Sequence, residues 1–137
     1  MSEFKTIKTD SDLQNLFVEV NYFHDSIIRQ CITQSIGYVD DQSWMHGDVE
    51  PFNAKMFLQS QFPESSCIEI HFNRVCRLLL KDVFIYEASG KIEDQKIFIS
   101  FSLSHEENIL CNDYDIIAEE MKYRILDQSY LGEKLMY

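Results

Sequence analysis

The sequence predicts an α+β domain, a short N-terminal helix followed by about six mostly antiparallel strands in a curved sheet or sandwich. Three observations predict it. Leu13, Leu16, Phe17 and Val20 recur at i, i+3, i+4 and i+7, the spacing of one helical face. Beyond Asn21 and Tyr22 the apolar period falls to two residues and stays there for most of the chain. Only four Gly and two Pro occur in 137 residues, too few for long linkers, so residues 1–137 are read as a single domain.

In chain order, Asp10-Ser11-Asp12 offers N-cap oxygens ahead of the helix. The run Tyr22-Phe23-His24-Asp25-Ser26 then stands where the period changes. Its His, Asp and Ser are the letters of a catalytic triad, but neighbours on an extended backbone point to opposite faces. A triad needs convergence on one reacting atom. The trio is therefore expected to bond backbone groups at a helix-to-strand corner. The functional alternative makes His24 a general base with a distant partner.

Residues 26–33 read as a strand with Ile28 and Ile32 on one face and Arg29 and Thr33 on the other. Residues 54–61 alternate again, and Pro63-Glu64-Ser65-Ser66 is turn chemistry. Residues 67–72 give the cleanest alternation, with Ile68, Ile70 and Phe72 inward, while 74–86 are apolar without a fixed register. Ser89-Gly90-Lys91 reads as a turn, and Ile97, Ile99 and Phe101 form the next inward row. Residues 116–126 fit either period. A strand is favoured because strands surround it and the alternation runs longer, although Ala118-Glu119-Glu120-Met121-Lys122 has helix propensity.

Twelve Lys and Arg against 23 Asp and Glu leave a formal charge of −11. Such a field repels phosphate backbones and anionic lipid, so neither nucleic acid nor membrane is an expected partner. It would favour encounter with a basic protein, against the alternative that the charge serves solubility alone. No apolar run approaches the roughly 20 residues that span a bilayer, and no signal peptide is read at the N-terminus. Cys31, Cys67, Cys76 and Cys111 lie in apolar, strand-like settings without a C-x-x-C pair. They are expected to be reduced core thiols in a cytoplasmic protein.

The catalytic and cofactor signals are sparse. Four scattered histidines form no H-x-H or H-E-x-x-H, and His46 with Asp48 is too small a set for a metal. Asn112-Asp113-Tyr114-Asp115 lacks the turn and closing Glu of a calcium loop, and the isolated glycines form no phosphate loop. No enzyme, cofactor or metal site is expected.

The strongest candidate is a binding surface. Trp44, the single Trp, sits in the acidic segment from Asp40 to Glu50, and an aromatic anchor rimmed by carboxylates suits a protein interface. Asp40, Asp41, Trp44, Asp48 and Glu50 are its candidate residues, against the alternative that Trp44 folds back onto the core. The apolar tail of residues 130–137 either docks on the domain or pairs two copies into a homodimer.

The pieces Phe23-His24-Asp25-Ser26-x-Ile28, Ile68-Glu69-Ile70-x-Phe72 and Ile97 to Phe101 resemble, in their order, small bacterial β-rich proteins of unknown function. Those proteins carry a similar F-H-D-S corner, and some are grouped with immunity proteins of polymorphic toxin systems. The resemblance covers about residues 20 to 105 and transfers no functional residue. With the net charge and the missing catalytic and cofactor motifs, it leads to the expectation of a non-enzymatic cytoplasmic binding protein. An immunity protein neutralising a basic toxin is the form the resemblance suggests. The alternative is a small-ligand or weakly enzymatic pocket lined by Tyr, Phe and His, with His24 or His71 pointing inward.

Overall fold

Helix α1 spans Asp10–Glu19 in the computed structural model, which describes residues 3–35, 37–47, 52–102 and 114–126. Its cap is Thr9, one residue ahead of the predicted Asp10-Ser11-Asp12. Thr9 Oγ1 accepts from the Asp12 amide at 3.1 Å, while the Asp12 carboxylate accepts from the Thr9 and Lys8 amides, each at 3.0 Å. This reciprocal pair is a capping box, and the Lys8 and Thr9 amides hold the Asp12 carboxyl below its usual range. Leu13, Leu16, Phe17 and Val20 are all buried, as the spacing predicts.

The helix ends in a left-handed turn. Asn21, Tyr22 and Phe23 have φ of 52°, 57° and 54°, and Asp25 has 53°. Each such L-residue costs roughly 1–2 kcal/mol. The turn is held by burial of Phe23, which meets Phe17 edge-to-face at 6.2 Å, and by Tyr22 stacked on Phe17 at 6.1 Å. It reverses the chain into the sheet.

Among the described residues there are ten strands rather than six. Eight form one antiparallel sheet: β1 (Lys5–Ile7), β2 (Ser26–Ser35), β5 (Phe52–Ser60), β6 (Cys67–Leu78), β7 (Phe84–Ile85), β8 (Glu87–Glu93), β9 (Lys96–Ser102) and β10 (Ile116–Leu126). Their order is β7-β2-β5-β6-β10-β9-β8, with β1 added on β10. The other two, β3 (Tyr38–Val39) and β4 (Met45–His46), pair only with each other. Four of the ten are two or three residues long, below the length at which alternation shows in a sequence.

Residues 116–126 are a strand, the central β10, which pairs with β6 along almost its whole length. Ile68, Ile70, Phe72, Ile97, Ile99 and Phe101 are buried as predicted, in one core with α1. β6 runs on to Leu78 through a kink at Arg74, where φ is 55°.

Two expectations need correction. A bulge between Ile28 and Gln30 flips the alternation of β2, so Ile28 is buried whereas Ile32 is 47% exposed. Ser89-Gly90-Lys91 is mid-strand in β8, and the reversal comes at Asp94-Gln95, with φ of 51° and 62°, between the paired Glu93 and Lys96. Positive φ at both residues marks the hairpin turn that matches strand twist. Gly90 is needed for close approach. An added Cβ would lie 2.5 Å from the Phe98 carbonyl oxygen and 3.3 Å from Phe17 Cζ.

Candidate functional site

The β3–β4 hairpin stands apart from the main sheet and is built around one side chain. Asp40 Oδ1 accepts from the Gln42 and Trp44 amides, both at 2.9 Å, and Oδ2 bonds His46 Nε2 at 2.7 Å. The Asp40 amide donates to the Trp44 carbonyl at 2.9 Å, and Ser43 takes φ of 67° to close the turn. An Asx-type turn of this kind is what an Asp before a tight reversal can form. His46 first, then the Trp44 and Gln42 amides, hold the Asp40 carboxyl below its usual range. The Tyr38 and His46 rings stack at 4.7 Å with 12° between planes.

This scaffold presents apolar groups to solvent. Tyr38 is 62%, Val39 61%, Trp44 68% and Met45 83% exposed. Trp44 therefore does not fold back onto the core. The described part of the acidic segment, residues 40–47, forms the turn and second strand of this hairpin, and it brings Asp40, Asp41 and Trp44 together with Tyr38, Met45 and His46. Asp40 is engaged inside the turn, whereas Asp41 is exposed. Asp48 and Glu50 lie outside the described residues, as do Cys111, His105 and the tail of residues 130–137. Tyr38-Val39 and Met45-His46, flanking a polar Asp-Asp-Gln-Ser, were the available sign of two short paired strands.

The corner at His24 is structural in a different way from that expected. His24 Nδ1 lies 3.0 Å from Asp25 Oδ2, and its ring leans on Tyr86 at 4.8 Å. The backbone satisfies itself: Phe23 N donates to Val20 O, His24 N to Asn21 O and Asp25 N to Tyr86 O. Ser26 Oγ is buried and has no hydrogen-bond partner among the described residues. The trio does not converge on one point.

A second polar cluster crosses the β6–β10 seam. Glu69, 3% exposed, accepts from Arg124 Nε at 2.9 Å and Nη2 at 2.8 Å, and bonds His71 Nε2 at 2.5 Å. Phe4 covers it, 4.7 Å from the His71 ring, with the Arg124 guanidinium 4.4 Å from the Phe4 centroid. Burial opposes ionisation of Glu69, but the His71 and Arg124 contacts outweigh it and keep the carboxyl below its usual range. Its oxygens are already engaged, so the geometry is that of a closed structural pair.

Cys31, Cys67 and Cys76 are free thiols. Cys67 is buried with Phe57 and Leu126, and burial, then the Glu69 charge, push its thiol up to about 11. Among the described residues no group of three His, Cys, Asp or Glu is placed to hold a metal. A cleft of about 560 Å³ opens where β10 leaves β9 and takes up β1, lined among others by Lys8, Asn73, Glu119 and Lys122. Neither His24 nor His71 lines it.

The chain matches no protein-family model, no curated protein and no solved structure. Among the described residues no helix is long and apolar enough to cross a membrane.

Proposed function

We propose that the chain is a non-enzymatic binding protein that holds a basic protein partner through the β3–β4 hairpin, as an immunity protein holds its toxin. The observation that carries this is the hairpin's exposure of Tyr38, Val39, Trp44 and Met45 on a turn fixed by Asp40. Exposing such a cluster is costly in a protein that has no use for it. A preordered turn also reduces the ordering cost of binding. Trp and Tyr are the residues that most often anchor interfaces. The −11 charge speeds encounter with a cationic surface, and Asp41 rims the anchor.

The test is affinity capture from the source cells with the wild-type chain and with Trp44→Ala, followed by kinetics on the captured protein. A basic protein retained by the wild type alone, associating more slowly in high salt, supports the reading. Equal retention by both, or an association rate indifferent to salt, overturns it. A competing reading, a small-ligand pocket in the curved sheet, rests on the cleft between β9 and β1. It requires saturable binding of a small molecule that Lys122→Ala weakens.

A further inference from the structure

The two ends of the sheet are treated differently. At the β8 end, α1 takes up the outward backbone groups: Gln14 Nε2 donates to the Gly90 carbonyl and Asp10 Oδ1 accepts from the Ile92 amide, both at 3.2 Å. At the other end, β7 pairs with β2 only at Ser26 and Ile27, and the Val83 carbonyl takes the Ile28 amide. From Gln30 to Ser35 the outer edge of β2 has no partner strand among the described residues. An exposed edge of this length is a template for strand pairing, and proteins that keep such an edge single guard it with charge, Pro or a covering element. Gln30-Cys31-Ile32-Thr33-Gln34-Ser35 contains neither charge nor Pro.

We infer that this edge pairs with the same edge of a second copy, antiparallel about a two-fold axis, to give a homodimer with a continuous sheet. The occupant follows from the chemistry of the strand. With no carboxylate between Gln30 and Ser35, and Arg29 beside them, the edge offers nothing to a cationic partner. A second copy brings a neutral strand of equal length, so no like charges face each other across the seam. The match is isologous, as a two-fold requires.

The apolar surroundings fit as well. Ile27, Ile32, Val83 and Phe84 are large, exposed side chains on or beside β2 and β7. In the antiparallel arrangement the C-terminal end of one β2 lies against the start of the other copy's β7, which places Ile32 and Val83 at the seam beside the strand backbones and the side chains of Gln30 and Gln34. The inference goes beyond the partner reading and does not depend on it, since it rests on the free edge of β2.

Sedimentation velocity over a range of concentrations, with hydrogen exchange at the two extremes, tests it. The wild type is expected to sediment as a dimer at high concentration, with amides in residues 30–35 protected only there. Ile32→Lys is expected to weaken dimerisation by about tenfold or more while leaving the far-UV spectrum unchanged. A wild type that stays monomeric throughout overturns the inference. So does a dimer insensitive to Ile32→Lys whose residues 30–35 exchange freely, which would place the contact elsewhere.

Discussion

Replacing Arg124 with Met tests the seam between the two longest strands. Arg124 and Glu69 are cross-strand partners, and both guanidinium contacts fall on one carboxylate oxygen at 2.8 and 2.9 Å. At that distance the attraction is about 6 kcal/mol at an effective dielectric of 20, largely offset by the several kcal/mol spent desolvating each ion. The intact pair therefore contributes little. Removing Arg124 alone leaves a buried carboxylate with His71 as its remaining partner, and breaking one side of a buried pair costs about 3–5 kcal/mol. Met keeps an apolar stem beside Phe4, so lost packing adds little. Urea unfolding followed by far-UV circular dichroism reads the change, with the midpoint falling by about 2 M for a slope near 2 kcal/mol/M. The double change Glu69→Leu/Arg124→Met removes both charges and is expected to recover most of the loss. Because the Glu69 carboxyl is lowered in the fold, its stabilisation is complete above the unfolded value of about 4.3. It fades as pH falls through the folded value, and that acid component is absent from the double variant. A single variant within about 1 kcal/mol of wild type, or a double variant no better than the single, would refute the reasoning.

Three further outcomes are expected. Gly90→Ala forces a Cβ against the Phe98 carbonyl and Phe17, and should lower stability by about 1–3 kcal/mol in the same urea assay. Asp40→Ala removes the acceptor of two turn amides and the partner of His46, so amide exchange in residues 38–46 should speed up while the unfolding midpoint stays near wild type. Cys67, with its thiol raised to about 11 and no exposure, should resist alkylation at pH 8 in the native state, read by mass spectrometry. It should react once urea unfolds the chain.

Much of the fold is legible in the sequence where burial imposes a period. The helix face Leu13, Leu16, Phe17 and Val20, and the rows Ile68-Ile70-Phe72 and Ile97-Ile99-Phe101, are one-sided because one face packs on a shared core. Legibility fails where backbone geometry breaks the period. The bulge at Arg29 sends Ile32 outward, although the spacing from Ile28 pairs them. Gly90 looks like a turn because glycine serves both reversal and close approach, and only the helix lying across β8 distinguishes the two. The true turn, Asp94-Gln95, has no glycine to mark it. Glu69 reads as the polar side of an alternating strand, yet it is buried: His71 shares its face two residues on, but Arg124 arrives from β10, a position that sequence spacing does not link.

The candidate site is half legible. Trp44 and its carboxylates stand out by residue type, but that Asp40 is consumed inside the turn while Asp41 faces solvent depends on hydrogen bonds. Tyr38, Val39 and Met45 become part of the surface only once β3 and β4 pair.

The central claim is that the hairpin grips a basic protein, and the most direct measurement is association of the captured partner with wild type, Trp44→Ala and Asp41→Asn across ionic strength. Wild-type association should slow as salt rises, Asp41→Asn should flatten that dependence, and Trp44→Ala should speed dissociation by on the order of thirtyfold or more, the effect of losing an anchor worth at least about 2 kcal/mol. A partner that dissociates from Trp44→Ala as slowly as from wild type would contradict it.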